Sequence, residues 1–128
     1  MRVLLDTSVL VAAMVTGHPE HLRALPWLQR IKAGTDEGVV SAHSLAETYA
    51  ILTTLPLRPP IRPAVARQLI ERNILADFEV VALSEADYRS LLGHLETVGI
   101  AGGATYDAVV LHAAAIGKVD RVVTLNTR

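Results

Sequence analysis

The sequence predicts an α/β fold in which a short parallel β-sheet is flanked by helices on both faces, giving three layers. Two observations predict it. Four short apolar runs alternate with stretches of helical spacing, and the runs are continuous, as in strands buried on both faces. The 128 residues fit one domain, which we expect to span residues 1–128. The 51 % of hydrophobic residues excludes an intrinsically disordered chain.

The four expected strands are apolar runs at residues 3–5, 39–41, 78–83 and 122–125. Between the first two runs, one helix is expected to begin near Ser8. A second is expected over residues 19–33, where leucines recur at near-helical spacing. Pro26 lies inside this second helix and is expected to kink or break it.

Recognisable start and stop residues delimit the remaining helices. Ser84 and Asp87 form a capping-box pattern at the start of a helix that Gly99 ends. Pro and Gly residues also terminate two of the other helices. The helices are expected at residues 43–55, 62–75, 84–98 and 104–116.

Composition excludes several classes of protein. The chain has no cysteine, which rules out disulfides and thiolate metal sites and fits the cytoplasm, where we expect the protein to act. No apolar run approaches the roughly 18 residues of a membrane span, and no signal-peptide cleavage pattern follows the N-terminal run. The net charge of −1 argues against a protein that coats nucleic acid non-specifically.

Three acidic residues stand alone in long stretches that contain no other charge. Asp6 is the only charged residue in 3–19, and Glu47 and Asp107 are each alone in stretches of about the same length. Asp6 directly follows a strand, and the other two lie early in helices. We therefore expect all three at the carboxyl edge of the sheet, where ligands bind in parallel α/β folds. Asp77 and Asp120 precede strands and are expected at the opposite edge.

Carboxylates gathered in an apolar crevice repel one another, and a divalent cation would neutralise them. An all-oxygen set selects Mg²⁺ or Mn²⁺ over Zn²⁺. Asn126 directly follows the last strand and offers a further amide oxygen, weaker than a carboxylate. Ser8 is placed to hydrogen-bond either a metal-bound water or the Asp6 carboxylate.

Each of these residues also has a purely structural explanation. Asp6 fits a helix N-cap, and Glu47 and Asp107 fit acids favoured by a helix N-terminus. Asn126 fits a turn, and Ser8 fits the start of a helix. Taken together, this explanation is weaker, because it does not account for three separate segments that each keep one acid and exclude all other charge.

The histidines and arginines give weaker signals. Helix-capping or surface roles are expected for all five histidines, although His43 precedes Glu47 by four residues and is within reach of the crevice. Four arginines lie in a segment with a single acid, where they fit either phosphate contacts or a solvated helix face. They are Arg58, Arg62, Arg67 and Arg72.

Four motifs resemble those of PIN domains, and in particular of the VapC toxins of bacterial toxin–antitoxin pairs. They are LDTSVL at 5–10, SLAETY at 44–49, YDA at 106–108 and VTLN at 123–126. The resemblance implies a PIN-like fold and a Mg²⁺- or Mn²⁺-dependent endoribonuclease that cuts RNA. It also implies a cognate VapB-like antitoxin, a homodimer, and a short tail beyond Arg128.

The resemblance implies a metal-binding quartet formed by Asp6, Glu47, Asp107 and the position of Asn126. Asp6 and Asp107 would hold the metal most directly, with Glu47 acting through water or as a base. The family often has Asp at the fourth position, so Asn126 lowers the charge of the site from −4 to −3.

Two other functions remain open at this point. One is a non-catalytic PIN-like binding module whose site has decayed, with Asn126 as the sign of decay. The other is a phosphohydrolase that uses Asp6 as a covalent nucleophile. Ser8 argues against the second, because such enzymes have another Asp two residues after the nucleophile.

Overall fold

The computed structural model describes residues 1–126, which fold around a four-stranded parallel sheet. The strand order is β3–β2–β1–β4. In the centre of the sheet, Leu4 of β1 is in register with Val39 on one side and Val122 on the other. The strands are β1 (Arg2–Leu5), β2 (Glu37–Ser41), β3 (Phe78–Val81) and β4 (Arg121–Val123).

Six α-helices connect the strands within the described chain. A π-helical turn at Glu71–Leu75 continues the fourth of them. The helices are α1 (Thr7–Met14), α2 (His21–Lys32), α3 (Ala42–Leu52), α4 (Pro63–Ile70), α5 (Glu85–Val98) and α6 (Ala104–Ile116). None is long and apolar enough to cross a lipid bilayer.

The helices cover both faces of the sheet, which confirms the predicted three-layer α/β fold. Because side chains alternate along a strand, β1 sends Val3 and Leu5 to one face and Leu4 to the other. Helices α1–α4 pack on the first face. Helix α6 packs on the second through Val110 and Ala113, and α5 packs against α6.

The last strand ends earlier than predicted because side chains take over its backbone bonds. The sequence predicted a strand over 122–125, but the Leu125 N–H donates to the Ser8 hydroxyl at 3.0 Å. The next N–H, of Asn126, donates to the Thr124 hydroxyl, also at 3.0 Å. The ladder stops at Val123, and the segment after β4 is held against the start of α1.

Helix α3 also ends earlier than the predicted 43–55. The hydroxyls of Thr53 and Thr54 donate to the carbonyl oxygens of Tyr49 and Ala50, both at 2.9 Å. At Ala50 the Thr54 hydroxyl takes the place of the Thr54 N–H, which donates to the Ile51 carbonyl at 3.1 Å instead, so α3 stops after Leu52.

The break expected at Pro26 is wrong, since α2 continues through it. Proline cannot donate to the carbonyl four residues earlier, that of Leu22, so the helix lacks one backbone hydrogen bond there. The buried Leu28 and Ile31 hold the rest of the helix on the core. The strand predicted over 78–83 likewise ends at Val81.

The capping box at the start of α5 is confirmed. The Asp87 N–H donates to the Ser84 hydroxyl at 3.1 Å, and the Ser84 N–H donates back to the Asp87 carboxylate at 2.8 Å. Gly99 ends the same helix in the left-handed conformation, with φ of 75°. The predicted helix over 104–116 matches α6.

Acids at the amino edge of the sheet are tied into the structure. The Asp120 carboxylate accepts the Arg2 N–H at 2.7 Å, and Lys32 donates to Asp77 at 3.1 Å. The carboxylate of the buried Asp36 accepts a hydrogen bond from Nε of Arg30 at 2.7 Å. This hydrogen bond holds the pKa of Asp36 below its usual value. Asp77 and Asp120 therefore lie at the edge that the sequence predicted.

Two Gly→Ala substitutions are expected to change stability in opposite directions. A Cβ on Gly38, in the middle of β2, would lie 2.7 Å from Ile31 and 2.8 Å from Phe78. We expect Gly38→Ala to lower the free energy of unfolding by about 1–3 kcal/mol through overpacking. Gly93, inside α5, has open space around its Cβ position. We expect Gly93→Ala to raise that free energy by about 0.5–1 kcal/mol.

Urea unfolding of both variants and the wild type measures these effects. Gly93→Ala is the control for an added methyl group, because a Cβ at this position meets no atom within 4 Å. A Gly38→Ala protein as stable as the wild type would contradict the close packing of β2 between α2 and β3.

Candidate active site

A cavity of about 610 Å³ opens at the carboxyl edge of the sheet. Its lining includes every residue that the sequence assigned to the site, namely Asp6, Ser8, Glu47, Asp107 and Asn126. They come from the turn after β1, from helices α1, α3 and α6, and from the segment after β4. Asp77 and Asp120 do not line it. The topology thus brings together acids that are far apart in the sequence.

Asp6 is the N-cap of α1 and lines the cavity as well. Its Oδ1 accepts the Val9 N–H at 3.3 Å and the Ser8 hydroxyl at 2.5 Å. Both bonds use Oδ1, and Oδ2 forms no hydrogen bond within residues 1–126. The capping role expected from the sequence is therefore confirmed, and it leaves one carboxylate oxygen available to a ligand.

Ser8 joins the two ends of the described chain at this site. Its hydroxyl donates to Asp6 and accepts the N–H of Leu125, a residue 117 positions away. The backbone adds a second link, because the Asp6 N–H donates to the Val123 carbonyl at 3.1 Å. Asn126 follows directly on this tethered segment. Ser8 therefore orients the Asp6 carboxylate and fixes the backbone that leads to Asn126.

Glu47 lies beyond the first turn of α3, which contains no acid. The interaction with a helix N-terminus considered for it therefore has little effect, because that field fades within the first turn. Its Oε2 is 3.6 Å from Nε2 of His43, one turn earlier on the same helix. This distance is too long for a hydrogen bond, although it suits an ion pair if His43 is protonated.

Asp107 lies in the first turn of α6, so the favourable field of the helix N-terminus does apply to it. The turn before the helix contains Gly102, whose φ of 67° is a conformation that favours glycine. This turn sets the start of α6 at the carboxyl edge. A helix-stabilising role and a ligand-binding role are both compatible with the position of Asp107.

An aromatic pair at the rim of the cavity was not predicted from the sequence. The rings of His43 and Tyr106 stack with centroids 5.0 Å apart and planes 3° apart. The sequence placed His43 within reach of the crevice but gave no sign of this contact with Tyr106. No local pattern identifies such a contact, because it joins two helices that are distant in the sequence.

The remaining wall of the cavity is largely apolar. It is formed by Ile51, Val110, Leu111 and Val122, with Thr7 and Thr124 completing the lining. The described lining residues include three acids and neither Lys nor Arg. The arginines considered for phosphate contacts, Arg58, Arg62, Arg67 and Arg72, lie outside it.

The donor set of the cavity fits a hard divalent cation such as Mg²⁺ or Mn²⁺. It consists of carboxylate, amide and hydroxyl oxygens, with no sulfur ligand. Within residues 1–126, no three His, Asp or Glu side chains are placed to hold a metal ion on their own. Such a set suits Mg²⁺, which typically binds one or two carboxylates and keeps several waters.

Replacement of Ser8 tests the link between Asp6 and the segment after β4. We expect Ser8→Ala to lower the free energy of unfolding by about 1–2 kcal/mol, because the half-buried Leu125 N–H and Asp6 Oδ1 each lose a partner. Ser90→Ala, on the exposed side of α5, is the matched control and should change it by no more than about 0.5 kcal/mol. Equal stability of the two variants in urea unfolding would argue against the tether.

Sequence comparison identifies the family. The PIN domain pattern matches residues 3–128. Ribonuclease VapC40 of Mycobacterium tuberculosis is 41 % identical over 106 residues, which cover 82 % of this chain and 72 % of that protein. Ribonuclease VapC27 of the same organism is 33 % identical over 110 residues, which cover 86 % of this chain and 74 % of that protein.

Solved structures share the fold. The toxin VapC20 of M. tuberculosis, described as cleaving the sarcin–ricin loop, matches with a TM-score of 0.72 and 20 % identity over 97 % of this chain and 89 % of that one. FitAcB of Neisseria gonorrhoeae matches with a TM-score of 0.67 and 23 % identity over 98 % and 88 %. VapBC2 of Rickettsia felis, bound to a promoter DNA fragment, matches with a TM-score of 0.64 and 20 % identity. The match covers 98 % of this chain and 88 % of that one. This chain belongs to the PIN domain family, among the VapC ribonucleases.

Proposed function

We propose that this protein is an endoribonuclease that hydrolyses phosphodiester bonds in RNA and acts as the toxin of a toxin–antitoxin pair in the cytoplasm. The observation that carries the proposal is the cavity at the carboxyl edge, where Asp6, Glu47 and Asp107 converge from three separate segments. The membership of the VapC ribonucleases supports the choice of RNA as substrate.

In this proposal, Asp6 and Asp107 hold Mg²⁺ or Mn²⁺ most directly, and Asn126 contributes a weaker amide oxygen. Glu47 acts through a water molecule or as a base. A divalent ion, when bound, supplies positive charge against the scissile phosphate and makes water more acidic. Attack by water does not require the 2′-hydroxyl of the substrate as nucleophile.

The other side chains of the cavity prepare the acids for this role. Ser8 fixes Asp6 through Oδ1 and leaves Oδ2 for the cation. The apolar wall lowers the local dielectric constant, which strengthens the attraction between a cation and the carboxylates.

We propose a VapB-like antitoxin as the protein partner and a homodimer as the state of the toxin. The proposed antitoxin covers the acidic cavity with its C-terminal segment and presents an arginine to the carboxylates. An Arg–carboxylate pair forms strong charge-assisted hydrogen bonds and would compete with both the cation and the RNA. A cavity left open in the toxin–antitoxin complex would contradict this proposal.

Removal of one acid tests the catalytic role. We expect Asp6→Asn and Asp107→Asn each to reduce cleavage of RNA by at least about 100-fold, because each replaces a proposed carboxylate ligand by a weaker amide and removes one negative charge. The assay incubates purified protein with total cellular RNA, with and without Mg²⁺ or Mn²⁺, and maps the new ends. Asp77→Asn, at the opposite edge, is the matched control and should cleave like the wild type.

The outcomes separate the nuclease from a binding module. The proposal is supported if Asp6→Asn and Asp107→Asn both lose cleavage while the wild type and Asp77→Asn keep it. A wild-type protein that binds Mn²⁺ and does not cleave RNA would favour the non-catalytic module with a decayed site. Cleavage by Asp6→Asn at the wild-type rate would remove Asp6 from the mechanism.

The charge at position 126 provides a test that does not depend on activity. Asn126→Asp changes the proposed site charge from −3 to −4. We expect it to enlarge the increase in melting temperature caused by Mn²⁺, because a ligand that binds only the folded state stabilises it. Without metal, the added repulsion should lower the melting temperature, most strongly at low ionic strength. Asp6→Asn should reduce the Mn²⁺-induced increase.

Thermal melts with and without Mn²⁺ measure all of these shifts. If Mn²⁺ leaves the wild-type melting temperature unchanged and Asn126→Asp behaves like the wild type, the metal site is refuted.

A further inference from the structure

Tyr106 is an exposed aromatic side chain beside the carboxylates of the cavity. It is 52 % exposed and lines the cavity, and Asp107 is its neighbour in the sequence. The chain has only five aromatic residues of the Phe, Trp and Tyr types. Among the described lining residues, Tyr106 is the only one of these. An exposed ring at this position is not needed for the core.

His43 holds the Tyr106 ring from one side. The two rings are nearly parallel, 3° apart, with 5.0 Å between centroids, which is the geometry of an offset stack. His43 therefore lies against one face of the Tyr106 ring, while about half of the residue stays exposed. The stack fixes the ring orientation before any ligand binds, so less side-chain freedom is lost on binding.

The surroundings of the ring suit a nucleoside. Asp107 adjoins Tyr106, and Glu47 lies one helical turn after His43, so the stack is flanked by two of the three acids. Val110 and Leu111 continue the apolar wall on the same helix as Tyr106. A nucleotide whose phosphate lies at the acids would place its base within reach of this aromatic and apolar wall.

We propose that Tyr106, supported by His43, is a stacking surface for a nucleobase of the bound RNA, in the nucleotide next to the scissile phosphate. This proposal rests on the proposed function and adds a base-binding position to it. Stacking uses the π-face that every base has, so it contributes affinity without selecting one base. Tyr106 is thus a binding residue, and His43 is a positioning residue that acts through it.

The stack is tested by measuring, through fluorescence anisotropy in Mg²⁺, how tightly the protein binds a labelled single-stranded RNA oligonucleotide. The Asp6→Asn background keeps the RNA intact, which gel electrophoresis checks. In this background we expect Tyr106→Leu to weaken binding about tenfold, because the ring is lost. Tyr106→Phe keeps the ring and should restore binding to within about twofold. His43→Ala should weaken binding by a smaller factor.

Tyr88→Leu is the matched control, since Tyr88 is a similarly exposed tyrosine on α5 that does not line the cavity. It should bind RNA like the background protein. Thermal melts of each variant separate a loss of binding from a loss of folding.

Abasic RNA identifies the contact. We expect the effect of Tyr106→Leu to disappear when the nucleotide next to the cleavage site lacks its base, and to persist when a distant base is removed. If Tyr106→Leu weakens binding of abasic and intact RNA equally, the proposal is overturned. The stack would then only stabilise the packing of α3 against α6. Equal binding by Tyr106→Leu and the background protein would overturn the proposal as well.

The two proposals fail separately. A wild-type protein that cleaves RNA while Tyr106→Leu binds normally keeps the nuclease and rejects the stacking surface. A wild-type protein that binds RNA through Tyr106 without cleaving it keeps the stacking surface and rejects the nuclease.

Discussion

The parallel pairing of β1 with both of its neighbours is the constraint on which the candidate site depends. Because β2 and β4 run in the same direction as β1, all three strands end at one edge, and the segments that follow them meet there. Helix α6 must return the chain to the amino end of β4, so its first turn starts at the same edge. Asp6, Glu47 and Asp107 line one cavity as a consequence of topology.

Two of these acids have a structural role at a helix N-terminus. Asp6 caps α1 through one carboxylate oxygen, and Asp107 lies in the first turn of α6, so both gain from a helix N-terminus. These interactions offset part of the repulsion that arises when acids share a cavity. Glu47 lies beyond the first turn of its helix and lacks this compensation. Of the three, it is the acid whose position a helix-stabilising role explains least.

The sequence predicted the parts of the structure that depend on local signals. Lone acids after a strand or early in a helix indicated the cavity, and the Ser84 capping box and Gly99 defined α5. Features that depend on distant contacts gave no such signal. The end of β4 is set by a bond from Leu125 to Ser8, which are 117 positions apart, and the stack of His43 on Tyr106 joins α3 to α6.

Ser8 couples the two halves of the site through a single hydroxyl. It donates to Asp6 and accepts from Leu125, so the first carboxylate and the backbone before Asn126 cannot move independently. The backbone at position 126 is held in the same way, because the Asn126 N–H donates to the Thr124 hydroxyl. The neutral amide of Asn126 lines the cavity without adding a fourth negative charge to it. Compared with a carboxylate at this position, the amide reduces the repulsion among the acids, and for the same Coulombic reason it would reduce the attraction for a cation.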